Sequence, residues 1–241
     1  MVMEVIETPD MAITLADGCR LSARAWMPAD AMAEPVPAIL EYLPYRKRDG
    51  TVARDALTHP WFAARGYACL RVDMRGTGDS DGLMADEYTA QELADAVDVI
   101  NWIAAQDWCS GTVGMMGISW GGFNGLQVAA LAPEPLKAVI TLCSTDDRYA
   151  DDIHYKGGCL LNENLGWGAT MLSYSSRPPD PMIVGDRWRQ MWLDRLENEP
   201  FLPATWLRHH RRNYYWQHGS VCGDFTSSKA ATLAIGGWGD A

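Results

Sequence analysis

From Met11 to about Cys143, short apolar runs alternate with stretches of helical periodicity, the layout of a parallel sheet with crossover helices. Arg20 to Trp26 alternates polar with apolar, as a half-buried early strand does, whereas Ala38–Tyr42 and Tyr67–Val72 are more continuously apolar and read as central strands. Thr112–Met116 and Ala138–Leu142 continue the series. Among the helices, the clearest expectation follows Thr89. Thr89 and Glu92 have capping-box spacing, and Leu93, Val97, Ile100 and Ala104 make one apolar face. Pro60–Arg65 reads as part of an earlier helix stopped at Gly66, and Phe123–Leu131 as a helix stopped by Pro133.

The pattern changes after about Ser144. Asp146 to Asp224 holds five tryptophans, many arginines and helical spacing such as Trp188, Met191, Trp192, Arg195 and Leu196, which predicts a helical insertion and not another strand-helix-strand unit. Strand character returns at Ala231–Ile235, just before Gly236-Gly237-Trp238-Gly239-Asp240. The expected organisation is a core over 1–145, a helical cap over 146–224, and a return to the core over 225–241.

Composition narrows the classes. With 241 residues, 48% hydrophobic and 21% charged, the chain can build a sizeable core, and at about 150 residues per domain it amounts to roughly one and a half domains. A net charge of −11 opposes nucleic-acid partners, because binding a polyphosphate depends on basic side chains displacing counterions. No apolar run reaches transmembrane length, and Glu4, Glu7 and Asp10 stand where a signal peptide would be basic, so a cytoplasmic protein without a membrane partner is expected. The six cysteines are widely spaced, with no disulfide or zinc framework, and read as reduced thiols.

The sharpest chemical signal is Gly117-Ile118-Ser119-Trp120-Gly121-Gly122, directly after one expected strand and before a helix. A serine on such a turn is lifted out of the sheet. Small residues on either side let strand and helix approach, and the Trp120 amide at the helix start points toward a developing oxyanion. The glycine-rich loop from Asp73 to Gly82 lacks the lysine of a phosphate loop and carries three aspartates, so it reads as structural, with Asp73 and Arg75 forming a local ion pair. A serine nucleophile needs a base and an orienting acid, the acid lying beyond a later strand. Asp240 fits that place, with Asp146 and Asp147 as alternatives. None of the five histidines is well placed as the base. His59 reads as a capping or surface residue, and His209-His210 and Asp151-Asp152-Ile153-His154 lack a third metal partner. No cofactor or metal is expected.

Several separated segments together resemble the α/β-hydrolases that include cocaine esterase, α-amino-acid ester hydrolases, glutaryl acylase and X-Pro dipeptidyl peptidase. They are DGCRLSARAW, PYRKRD at Pro44–Asp49, DMRGTGDSDG, WCSGTVGMMGISWGG, STDDRYADDIHYKGG and the terminal GGWGDA. The resemblance implies an α/β-hydrolase fold in which Ser119 is acylated, Asp240 is the triad acid, and the Tyr45 hydroxyl joins the Trp120 amide in the oxyanion hole. It further implies that the segment with Asp151 and Asp152 begins the cap and contributes a carboxylate to the substrate side, while the cap aromatics, Trp167 among them, suggest an apolar acyl or leaving group. Without it, Tyr45 reads as an ordinary strand-end aromatic. The histidine and the β-rich jelly-roll domain of the resembled enzymes are expected downstream of Ala241, so residues 1–241 alone are expected to turn over negligibly. The expected function is a serine hydrolase acting on a small ester or amide. An X-Pro peptidase and a non-catalytic binding protein are the alternatives, and oligomeric state, a homo-oligomer included, is left open.

Overall fold

The computed structural model describes residues 2–239. Its strands are β1 (Val5–Thr14), β2 (Arg20–Pro28), β3 (Val36–Leu43), β4 (Ala68–Asp73), β5 (Cys109–Ile118), β6 (Leu136–Leu142), the two-residue β7 (Tyr155–Lys156) and β8 (Cys159–Leu160), and β9 (Ala231–Ile235). Helices α1 (Val52–Ala63), α2 (Ala90–Ala104) and α3 (Trp120–Leu131) connect the central strands. Between β6 and β9 lie the small β7–β8 hairpin and α4 (Glu163–Ser175), α5 (Pro181–Val184), α6 (Trp188–Asn198), α7 (Leu202–Arg208) and α8 (Tyr214–Gln217).

The main sheet runs β1-β2-β4-β3-β5-β6-β9, with β1, β2 and β4 joined antiparallel and every pair from β4 onward parallel. This is the mixed, mostly parallel sheet of an α/β-hydrolase core. Period-two alternation sorts its side chains into two layers. Ala25, Leu40 and Leu70 join the large core with residues of α2 and α3, whereas their neighbours Trp26, Ile39 and Cys69 meet Ala63 and Phe62 of α1. On the α1 side, β3 and β4 also carry a charged pair in register, Glu41 opposite Arg71, both buried. Among the described residues β9 is an edge strand, opposite β1, and is exposed along its length. Beside it, α3, β6 and the loop at 221–230 line an open cleft of about 640 Å³. Among the described residues no helix is long and apolar enough to cross a membrane.

Two local expectations change. β1 was not legible, because Pro9 and Asp10 interrupt its alternation where the register shifts between Thr8 and Met11. In α2 the buried apolar positions are Leu93, Ala96, Val99, Ile100 and Ile103, with Val97 and Ala104 only half-buried, and Glu92 and Asp95 are buried as well. The helix packs against both the sheet and α3, which widens its apolar stripe.

Candidate active site

The turn from β5 into α3 puts Ser119 at φ +52°, a left-handed backbone rare for a residue with a Cβ. Its N–H donates to the Leu142 carbonyl of β6 at 2.9 Å, and its carbonyl accepts from the Gly122 and Phe123 amides at 2.7 and 2.9 Å. Strand and helix approach so closely that a Cβ on Gly117 would stand 2.5 Å from the Gly121 backbone. Small residues at these two positions are therefore a packing requirement of the turn. Ser119 is half-buried, and the Trp120 amide lies at the helix start, where N–H groups have no intrahelical acceptor.

Tyr45 comes to the same point from the end of β3. Burial pushes its phenol up to about 12, while the Ser119 hydroxyl and the Trp120 backbone amide favour its ionised form. The phenol, the serine side chain and the amide therefore converge. The segment that delivers Tyr45 is anchored by buried charge. The Lys47 N–H donates to Asp73 Oδ1 at 2.7 Å, and Lys47 Nζ, wholly buried, lies 2.7 Å from Asp79 and 3.6 Å from Asp73. Arg46, at φ +60°, reaches the carbonyls of Arg177 and Pro178 at 3.0 and 2.8 Å. Asp73 thus holds the Tyr45 loop and does not pair with Arg75, which binds Asp95 at 2.6 Å and Asp17 at 2.8 Å. Gly78 is required here, because a Cβ on it would meet Asp73 Oδ2 at 2.0 Å.

Trp167 of α4 stands beside Tyr45 and Trp120, with ring centroids 6.2 and 6.3 Å away, and Tyr174 lies 5.6 Å from Tyr45. The Trp167 indole donates to Glu87 Oε1 at 2.5 Å. Glu87, buried on the loop before α2, also accepts from Arg148 at 3.1 Å and contacts His154 Nε2 at 2.7 Å, and the other ring nitrogen of His154 meets Asn164 at 2.8 Å. Burial opposes the charge on Glu87, but His154, Arg148 and the indole outweigh it and hold the carboxyl below its ordinary range. Desolvation lowers the His154 affinity for a proton, and Glu87 more than reverses this, leaving it raised. Asp152 is half-buried beside this group and is pushed up to about 6 by burial. Asp151 instead lies exposed, 3.4 Å from Lys156.

Asp240 lies outside the described residues. Of the alternative acids, the Asp147 carboxylate accepts from the Tyr149 and Ala150 amides and pairs with Arg212 at 3.1 Å, while the Asp146 carbonyl accepts from the Val221 and Cys222 amides. Among the described residues no histidine faces Ser119. His154 is held by Glu87 and Asn164, His209 stacks on Tyr215 at 4.2 Å, His218 meets the Tyr88 carbonyl at 2.7 Å, and His210 is exposed. His59 is fully buried, not a surface or capping residue, and lies 3.1 Å from Glu41. Ligand atoms of Glu41, Asp55 and His59 come within 4.8 Å of one another, but two guanidinium groups fill the cluster. Arg54 is 2.6 Å from Glu41, and Arg71 is 3.3 Å from Asp55. A metal ion would enter a group whose carboxylates are already neutralised, so the donor set does not suit one.

No role for Lys47, Glu87 or Arg195 is legible in the sequence, although Lys47 lies in the Pro44–Asp49 segment and Arg195 in a helical spacing. Arg195 of α6 is buried and donates to the Gly78 carbonyl at 2.8 Å and to that of Ser80. The partners lie far apart in the chain, where spacing carries no information. Glu92 was legible only as half of a capping box. Thr89 does accept its N–H at 3.1 Å, but its carboxylate turns inward to the Trp120 indole at 2.7 Å.

The chain is 35% identical over 164 residues to cocaine esterase of a Rhodococcus species, covering 66% of the chain and 28% of that protein. It is 32% identical over 163 residues to a putative serine esterase of Mycobacterium tuberculosis, covering 61% and 26%. It therefore spans under a third of the length of these curated relatives. A hydrolase of the CocE/NonD family from Staphylococcus aureus superposes with a TM-score of 0.75 at 21% identity, over 95% of this chain and 40% of that one. An α-amino acid ester hydrolase superposes at 0.71 and 21% identity, over 99% and 44%. Residues 17–241 match the family described as X-Pro dipeptidyl-peptidase (S15 family), and the chain belongs to that family.

Proposed function

We propose that the protein is a serine hydrolase that cleaves an ester or amide through an acyl-serine intermediate. The observation that carries this reading is the convergence of the Tyr45 phenol, the Ser119 side chain and the Trp120 amide on a left-handed strand-to-helix turn. In this reading Ser119 Oγ attacks the carbonyl carbon, and the carbonyl oxygen, as it becomes an alkoxide, receives hydrogen bonds from Tyr45 and the Trp120 amide. Collapse of the tetrahedral species expels the alcohol or amine, and water then releases the acid by the same route. Asp240 is assigned the triad acid. The base is assigned to a histidine outside these residues, since all five imidazoles here are turned elsewhere. Trp167, beside Tyr45 and bonded to Glu87, is assigned to the wall of the acyl pocket, Asp152 to the charged group behind it, and Asp151, exposed on the cleft beside β9, to no substrate contact.

Ester substrates are favoured because relatives at 35% and 32% identity are named esterases. A peptidase reading has its own support, a relative from Streptomyces avermitilis, 30% identical over 135 residues and named a putative Xaa-Pro dipeptidyl-peptidase. The test is covalent labelling of the full-length protein by a fluorophosphonate, with the adduct mapped by mass spectrometry. Labelling on Ser119 that Ser119→Ala abolishes, together with aryl-ester turnover, is expected. An adduct that survives Ser119→Ala would overturn the choice of nucleophile, and a native protein that neither labels nor turns over would favour the binding-protein alternative.

A further inference from the structure

Beneath the nucleophile helix lies a polar group that the acyl-transfer reading does not use. Glu92, on the first turn of α2, is buried and touches no cation. Its Oε1 accepts from the Trp120 indole at 2.7 Å and from Asn124 Nδ2 at 3.4 Å, while Oε2 has no partner and no access to solvent. Tyr42 of β3 is likewise fully buried with its hydroxyl unpartnered, and its carbonyl accepts from Asn124 Nδ2 at 2.7 Å. Tyr42 and Glu92 both line a cavity of about 90 Å³ between β3, the loop before α2 and α2 itself. At about 30 Å³ per molecule, that space admits two or three waters.

The charges around the cavity already have partners. Arg75 is engaged by Asp95 and Asp17, and Asp95 also accepts from Gln91. Asp86 accepts from the Tyr215 hydroxyl and the Trp206 indole. Glu87 contributes a like charge from the same loop. On the α3 side only the neutral donors of Trp120 and Asn124 face Glu92, and on the β3 side only Tyr42. The Tyr88 backbone N–H also favours the ionised form, but an ionised carboxylate here would be desolvated among neutral donors with no cation beside it, so the acid form is preferred. Burial accordingly pushes Glu92 up to about 8.

We propose that Glu92 is a positioning residue of the oxyanion hole: as a neutral acid it clamps the Trp120 indole and the Asn124 amide, keeping the Trp120 N–H aimed at the Ser119–Tyr45 site, and its own O–H points through the cavity toward the Tyr42 hydroxyl. The inference rests on the serine-hydrolase reading, since the clamp matters only if the Trp120 amide meets an oxyanion. A negative charge on Glu92 would oppose the oxyanion forming above it. The carboxyl is neutral below its raised pKa and charged above it, so kcat falls as pH rises through about 8.

The test uses the full-length protein with an aryl ester. Glu92→Ala, which leaves the Trp120 indole unpaired, is expected to lower kcat about tenfold with little change in KM, the size of one lost hydrogen bond. Glu92→Gln is expected to rescue most of that loss and to remove the alkaline fall in kcat, because the amide does not ionise. A second measurement needs no turnover. The infrared difference between wild type and Glu92→Gln should contain a carboxylic-acid C=O band at about pH 6.5 that is lost at about pH 9.5, above the raised pKa. An alkaline fall unchanged in Glu92→Gln, equal kcat in wild type and Glu92→Ala, or an absent acid band would overturn the proposal. Turnover that persists in Ser119→Ala would overturn the serine-hydrolase reading instead, and the infrared band would still report on Glu92.

Discussion

Replacing Glu87 by glutamine tests what ties the helices between β6 and β9 to the sheet. The wild-type carboxylate accepts from three side chains: the Trp167 indole on Oε1, and Arg148 and His154 on Oε2. Arg148 and Glu87 are each about 1% exposed. An amide of the same shape presents an NH2 group either to the indole or to Arg148 and His154, so a donor faces a donor in both orientations, and the charge is lost. Removing one member of a buried pair typically costs about 3–5 kcal/mol, because the other charge remains desolvated. Two effects limit the loss. His154 can release its proton and accept from the new amide, and Arg148 still lies 4.6 Å from the centre of the Tyr88 ring, a cation–π contact worth about 1 kcal/mol. The expected loss is about 3 kcal/mol, roughly 150-fold in the folding equilibrium. Urea unfolding of wild type and Glu87→Gln, followed by circular dichroism, measures it. The pH dependence adds a second constraint. Glu87 is depressed, so its contribution is present above about 4.5 and lost as pH falls through the folded pKa; His154 is raised, so its contribution is complete below about 6.5 and lost as pH rises through the folded pKa. The penalty of the substitution should be largest between those values and smaller in alkali. A loss under about 1 kcal/mol at pH 6, or one that grows toward alkaline pH, would refute the reasoning.

Tyr45→Phe removes one of the two donors assigned to the oxyanion while preserving the ring contacts with Trp167 and Tyr174. Steady-state kinetics of the full-length protein should show kcat about 100-fold lower with KM little changed, and a change confined to KM would remove Tyr45 from the oxyanion hole. Gly78→Ala should destabilise by about 2–3 kcal/mol in thermal unfolding. The new Cβ meets Asp73 Oδ2 at 2.0 Å, at a φ of +50° that already disfavours a side chain. A neutral result would show that Asp73 can move without releasing Lys47.

What could be read from the sequence was local. The serine turn is encoded within six residues, because its strand, its helix start and the glycines that let them approach are contiguous. β9 was equally legible: Ala231–Ile235 is a short, mostly apolar run bounded by polar loop residues on one side and Gly236-Gly237 on the other. The supports of the site are not local. Glu87 reaches His154 and Trp167, 67 and 80 residues on, and Arg46 reaches the Arg177 carbonyl 131 residues on. A charged side chain carries the same sequence signal whether it is solvated or buried against such a partner. Hence Asp73 and Arg75, two apart, suggested a pair to each other but serve Lys47 and Asp95, and His59 suggested a surface residue but lies fully buried beside Glu41. Glu92 marks the boundary between the two kinds of information. Its backbone obeys the capping pattern that the sequence displays, while its side chain answers to Trp120, 28 residues away. In a capping box that carboxylate would sit at the helix surface and ionise in water; folded over onto α3, it is drawn into the core beneath the Ser119 turn, where burial favours its acid form.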